Sequence, residues 1–231
     1  MFTDEQQQQL KTRFLARYHS DGLWGIVRSA YTEPHRQYHD LSHLAALFAS
    51  FDRIRHLLHH PDAVEDALWW HDLVYSVDKN RDENEVRSAM LMRKSLVRHA
   101  LPLLQAQPAF WDAVEVAGEF ILATIDHAIS SPVLRNDEAL AADAAVFLDM
   151  DLAVLAEDEP GLRRFEAGVR QEYIQYDDRA YTFGRIVVLK GMLNREKIFL
   201  SPVFAPLEPK ARANLQWLIA ELTAVRERCQ D

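Results

Sequence analysis

The sequence predicts an all-α fold, and three observations predict it. Only 7 glycines and 9 prolines punctuate 231 residues, too few for a sheet fold built on many tight hairpins. Apolar residues recur at helical spacing through most of the chain, and no stretch alternates cleanly with period two. The strings between the periodic segments are short or polar. At 48% apolar and 26% charged the composition is that of an ordinary globular chain, long enough to bury a core without disulfides. No internal repeat and no Gly-, Ser- or Pro-rich linker interrupts it, so one helical domain over 1–231 is expected.

The elements follow in order. Thr3 with Gln6 three residues on is a capping-box pattern, and Leu10, Phe14 and Leu15 line one side of the helix it opens. Leu41, Leu44, Leu47, Phe48, Phe51, Ile54, Leu57 and Leu58 make the next apolar stripe. Pro61 is expected to close that segment and Asp62 to cap the next helix, whose stripe is Val64, Ala67, Leu68, His71, Val74 and Tyr75. Further helices are expected over about 82–99, 109–128, 137–155, 161–176, 182–195 and 207–228, with ends uncertain by about two to four residues.

Charge and special residues narrow the function classes. The formal net charge of −9 argues against broad binding to duplex nucleic acid, which needs a basic face. It leaves room for a small phosphorylated ligand held by a few local Arg and His. The single cysteine, Cys229, excludes a disulfide framework and a thiolate metal site. The N-terminal residues have neither the basic nor the apolar region of a secretory signal, and no apolar run is long enough to span a bilayer. A cytoplasmic location without membrane contact is therefore expected. Ten histidines direct attention to metal binding and acid–base chemistry.

Four segments concentrate those groups. In Arg36-Gln37-Tyr38-His39-Asp40-Leu41-Ser42-His43, the two histidines are four apart and share a face if the helix already includes His39. In Trp69-Trp70-His71-Asp72, His71 occupies an apolar-stripe position, where a buried imidazole needs partners on both nitrogens. A core histidine bonded to backbone, with a surface Asp beside it, is the structural alternative. In Phe147-Leu148-Asp149-Met150-Asp151, two carboxylates stand in an apolar stretch on different helix faces, and a cation or an Arg would compensate the buried one. His127 follows the stripe of Phe120, Ile121 and Thr124 by one turn and could reach an interior site or simply end a helix. Asp82 with Glu85 reads equally as a capping box or as the border of a site. Trp69, Trp70 and Tyr75 read as core rather than as a stacking platform, and Arg185 and Arg195 as surface residues.

Taken together, these segments give His, then His-Asp, then Asp, each in a helical stretch. That order resembles the HD superfamily of metal-dependent phosphohydrolases, and more closely one bacterial family of predicted HD phosphohydrolases. The carrying motifs are Tyr38-His39-x-x-x-His43-Leu44, Trp70-His71-Asp72-x-Val74-Tyr75-Ser76, Asn84-Glu85-x-x-Ser88-Ala89, Thr124-x-x-His127 and Phe147-Leu148-Asp149-x-Asp151-Leu152. Arg170-x-Glu172-Tyr173 and Glu208 followed by Ala211-Arg212-x-Asn214-Leu215 extend the likeness over nearly the whole chain. The resemblance implies a single-domain HD-type helical bundle with metal ligands His43, His71, Asp72 and Asp151, Asp149 being the reserve. Asp151 is preferred because its Met-Asp-Leu context matches the family pattern.

Two imidazoles and two carboxylates suit an octahedral Mn, Fe, Mg or Co ion better than structural zinc. A second ion would use Asp72 as a bridge and His127 as a further ligand. The pair His39-x-x-x-His43 also resembles that of the helical cyclic-nucleotide phosphodiesterases, where the first His protonates the leaving oxygen. Their second His after the HD pair is missing here; Tyr75 and Ser76 stand in that stretch. By this analogy His39 is a general acid; Arg36, three residues earlier, is placed to hold a phosphate oxygen, and Glu85, at a helix start expected to border the site, to accept a proton. The implied activity is hydrolysis of a small phosphate ester, such as a nucleotide, by metal-activated water. Two other readings stand beside it: a non-catalytic regulatory module that binds a nucleotide or metal, and an HD-fold di-iron oxygenase. The latter needs extra histidines, for which His99 and His127 are the candidates.

Overall fold

Helix formation begins where the first cap was expected. In the computed structural model, which describes residues 2–77, 83–100 and 108–228, the Thr3 hydroxyl accepts from the Gln6 amide while the Gln6 side chain accepts from the Thr3 amide. They open α1 (Asp4–Tyr18), followed by α2 (Asp21–Tyr31), α3 (Leu41–Ile54), α4 (Pro61–Trp70), α5 (Asn84–His99) and α6 (Pro108–Ala123). The remainder is α7 (Pro132–Arg135), α8 (Glu138–Leu152), α9 (Glu159–Glu172), α10 (Asp178–Leu193) and α11 (Glu208–Arg228). Among the described residues there is no strand, so the fold is all-α. No helix among them is long and apolar enough to cross a membrane.

Three local expectations need correction. α2 was not anticipated, although Ser20 caps it and Leu23, Trp24, Val27 and Tyr31 bury its inner face at helical spacing. Pro61 does not merely stop the preceding helix; it occupies the first turn of α4, where its missing N–H costs nothing. The cap position there is His60, and Asp62 makes no cap bond but pairs with Arg17 and Arg55. The expected capping residue Asp82 and Cys229 lie outside the described residues.

The chain forms two compact units, Met1–Leu148 and Asp149–Asp231, with the division inside α8. In the first, α4 packs on α6 and on α3, and α5 also packs on α6. Its core is aromatic: Phe14 meets Tyr18, Trp24 and Trp69, and Phe48 lies 4.3 Å from Trp69 between ring centroids. Trp69 and Trp70 are fully buried, as expected. Each such ring contributes roughly 1.5–3 kcal/mol through area removed from water. Asp143, buried on α8, accepts the backbone N–H groups of His59 and His60 and so anchors the turn before α4. In the second unit, α10 packs along α11, and Asn214 donates to the carbonyls of Leu155 and Glu157.

Candidate metal centre

The site is built on the ends of two helices. Asp40 caps α3 by accepting the amides of Ser42 and His43, at 2.7 and 3.4 Å. This places His43 in the first turn, with its ring turned inward and 3% exposed. His71 sits immediately after α4, at its C-cap, and is 1% exposed. Its Nδ1 faces the Leu68 carbonyl at 3.0 Å. A carbonyl only accepts, so Nδ1 carries the proton and Nε2 carries the lone pair. Metal-ligating imidazoles are usually backed in this way.

Three donor atoms then converge. His43 Nε2 and His71 Nε2 are 3.4 Å apart, His71 Nε2 and Asp72 Oδ2 3.2 Å, and His43 Nε2 and Asp72 Oδ2 3.8 Å. Ligands about 2.1 Å from one ion and about 90–110° apart stand about 3.0–3.4 Å from each other. Two edges of the triangle meet that range and the third is slightly longer, so the group fits a divalent ion. Asp72, 21% exposed, is its open side.

The turn carrying Asp72 is fastened from both directions. The Arg36 side chain is fully buried; it donates to the carbonyls of Asp72 at 2.7 Å and Leu73 at 2.9 Å. It also donates to the His39 carbonyl and to Glu33. Four of its five N–H donors are thereby committed to the chain itself, which corrects the expectation that Arg36 presents its guanidinium to a phosphate. After the turn, Ser88 Oγ accepts the Val74 amide, and the Asn84 side chain bonds both the amide and the carbonyl of Ser76. Asn84 and Ser88 are one helical turn apart on α5, and the spacing Asn84-x-x-x-Ser88 was the signal for this tether. Asn84 is therefore not a cap. Glu85 beside it is half-buried in the first turn of α5.

His39 lies outside α3, one residue before its cap, so the shared-helix-face argument does not apply. The chain turn nevertheless brings its ring centroid within 5.7 Å of His43. It stacks on Tyr75 at 4.4 Å, and His35, which the sequence reasoning passed over, stacks near the same ring and bonds the Tyr75 carbonyl. Tyr75 is thus a rim residue rather than core.

His127 does not join the three-residue group. It has φ of 46°, and the Ala128 amide bonds back to the Ala123 carbonyl. That is the left-handed residue of a helix-ending motif, a position His tolerates better than most side chains. Asp149 and Asp151 belong to the second unit. Asp149 is fully buried, and its two oxygens accept the amides of Leu200 at 2.7 Å and Ser201 at 2.6 Å. Burial raises its carboxyl against these bonds. Asp151, half-buried, stands on the last turn of α8.

Beneath the site lies a charged network that no motif announced. Asp66, fully buried, accepts two N–H bonds from Arg17 and one O–H bond from Tyr18 at 2.6 Å, while Trp70 Nε1 donates to Tyr18 at 3.0 Å. Burial raises the Asp66 carboxyl despite these partners, and burial beside Asp66 raises the Tyr18 phenol. Since Trp70 precedes His71, the network fixes the end of α4 from which the site projects. Arg185, expected on the surface, is instead largely buried and forks onto Glu166, with Nε and Nη2 at 3.0 and 2.9 Å from Oε2.

Compared with protein-family models, with curated proteins and with solved structures, the chain matches none.

Proposed function

We propose that this chain is a metal-dependent phosphohydrolase acting on a small phosphate ester, such as a nucleotide. The observation that carries the reading is the convergence of His43 Nε2, His71 Nε2 and Asp72 Oδ2 on one point. Two imidazoles and a carboxylate match divalent ions of the Fe, Co or Mn type, and match the hard Mg ion less well. Such an ion supplies Lewis acidity toward a phosphate oxygen and makes water a nucleophile at neutral pH.

The chain's own groups do the rest. The Leu68 carbonyl holds His71 in the tautomer whose Nε2 can ligate. Arg36 holds the peptide of Asp72 in place and keeps the carboxylate at the open side. His39, on the rim, delivers a proton to the leaving oxygen, with Tyr75 supporting its ring. The −9 net charge favours a small phosphorylated substrate over a polyanion.

The test is metal analysis of the purified protein, paired with hydrolysis of bis(4-nitrophenyl) phosphate in Mn and Co. Bound divalent ion, lost in His71→Ala together with turnover, is the expected result. Metal content near zero and no rise in melting temperature with Mn or Co would overturn the reading. Stoichiometric metal without turnover of any phosphoester would instead favour a regulatory metal-binding module.

A further inference from the structure

The two sides of α10 differ in what covers them. Tyr181, Thr182, Ile186 and Leu189 are buried, and the helix packs along α11. On the other side Phe183, Gly184, Val187, Lys190, Gly191 and Asn194 form an exposed strip along its length. A solvated helix face ordinarily carries charged and polar side chains. This strip carries one charge, Lys190, and two large apolar groups, Phe183 at 55% and Val187 at 56% exposure. Arg226 of α11 reaches over part of the Phe183 ring, at 5.3 Å from its centroid, and still leaves it half open.

The glycines are the second observation. A glycine inside a helix weakens it relative to alanine. A Cβ added at Gly184 or at Gly191 would meet no atom within 4 Å. Among the described residues, therefore, nothing uses the space that the two missing side chains leave. Small residues on a helix face allow another helix to approach closely, because the side chains at the contact set the distance between axes.

We propose that a second copy of this chain covers the strip, its α10 antiparallel to the first about a two-fold axis at Val187. The strip is self-complementary in that orientation, as a two-fold interface requires. With about 100° and about 1.5 Å per residue, Phe183 and Lys190 fall on one edge of the strip and Gly184 and Gly191 on the other. Phe183 lies four residues before Val187 and Lys190 three after, so the two-fold brings Phe183 of one copy level with Lys190 of the other. The Lys190 stem covers the ring while its ammonium stays in water. Gly184 and Gly191 meet in the same way on the opposite edge and let the backbones close. Charge selects the orientation. A parallel pair would set Lys190 against Lys190, whereas the antiparallel pair holds the two lysines apart and opposite aromatic rings. A single helix pair is at the small end of specific interfaces, roughly below 1,200 Å² in total, so the dimer should depend on concentration. The inference rests on the second unit alone and is independent of the metal-dependent reading.

Sedimentation velocity of the full chain over a concentration series tests it, together with two single-cysteine variants in a Cys229→Ser background. A reversible monomer–dimer equilibrium is expected. Val187→Cys should oxidise to a disulfide-linked dimer, since its two copies meet on the axis. Asn194→Cys should not, since its copies stand about 21 Å apart along antiparallel helices. Gly191→Leu fills the space and should shift the midpoint of association at least tenfold higher in concentration. Its melting temperature as a monomer should not fall, because the added side chain meets nothing in its own chain. If it does fall, the cysteine pair carries the test. A chain that stays monomeric throughout would leave the strip to a different partner and overturn the inference. So would a dimer that Val187→Cys fails to cross-link, cross-linking of Asn194→Cys as readily as Val187→Cys, or a well-folded Gly191→Leu protein that associates as the parent does.

Discussion

Two carboxylates stand within a few residues of each other in the first unit, Asp66 fully buried and Asp72 partly exposed, and their surroundings differ. Asp66 is surrounded by donors: a guanidinium fork from Arg17 and the Tyr18 hydroxyl. Asp72 faces potential ligands, the Nε2 atoms of His43 and His71, the latter carrying its lone pair there. A carboxylate ringed by donors is complete and acts as a fastener. Lewis bases that converge on one point repel unless a cation joins them, so that arrangement stores a preference for an ion. The difference teaches how to tell a structural polar cluster from a ligand site: by the sign of what the donor atoms face, not by burial.

The largest effect should come from breaking the complete group. Asp66→Ala takes from Arg17 its buried partner, leaving it only the half-exposed Asp62, and takes from the Tyr18 hydroxyl its acceptor; it should destabilise the fold by about 3–5 kcal/mol, the scale of a broken buried pair. Urea unfolding reads it, and a cost below about 1 kcal/mol would deny the network its role.

His71→Ala should behave in the opposite way. It should cost little in metal-free buffer and remove the stabilisation that added Mn confers, about 2.7 kcal/mol at a hundredfold excess over Kd. Equal losses with and without Mn would place His71 with the fasteners. His39→Ala sharpens the same contrast on the reaction side. Metal content should stay near normal while turnover of esters with poor leaving groups falls about a hundredfold, and of activated esters much less. Equal loss for both classes with lower metal occupancy would make His39 a residue that orients a ligand.

Smaller effects are expected in the second unit. Asp149→Ala strands the Leu200 and Ser201 amides and should cost about 1–3 kcal/mol without touching turnover of a well-folded sample. For Glu208, partial burial works against ionisation, but the amides of Phe199 and Ile198 and the Arg212 guanidinium outweigh it and hold its carboxyl below the ordinary value. A depressed folded-state pKa means stability that is present above the unfolded value and lost as pH falls through the folded one. Glu208→Gln should therefore lower stability near neutral pH and flatten its decline in acid. Parallel pH profiles of parent and variant would show that the bonds contribute nothing.

How much of this was legible beforehand differs by element. The Thr3–Gln6 cap and the α3 stripe follow from local spacing, because helix periodicity and caps act within one or two turns; the grouping of His43 with His71-Asp72 was implied only by the family resemblance. α2 was equally local and was overlooked: Ser20 and the Leu23, Trp24, Val27, Tyr31 spacing carried it. Arg36 could not be read correctly from its neighbourhood. An Arg three residues before a histidine looks like a phosphate ligand, and only contacts across 36 and 37 residues to the Asp72 and Leu73 carbonyls reveal a clamp.

The sequence by itself determined that the chain is helical and where most helices lie, although it carried the His71 helix on to Tyr75, past its end at Trp70. Those properties depend on backbone geometry within a few residues, which local residue types control. The tertiary structure decided what each polar group faces. It turned Arg36 inward, gave Asp149 to two backbone amides, ended a helix on the left-handed backbone of His127 and joined Arg17, Tyr18 and Trp70 on Asp66. Such pairings join residues up to about fifty positions apart. They are set by how the helices pack, and no local pattern encodes which donor will meet which acceptor.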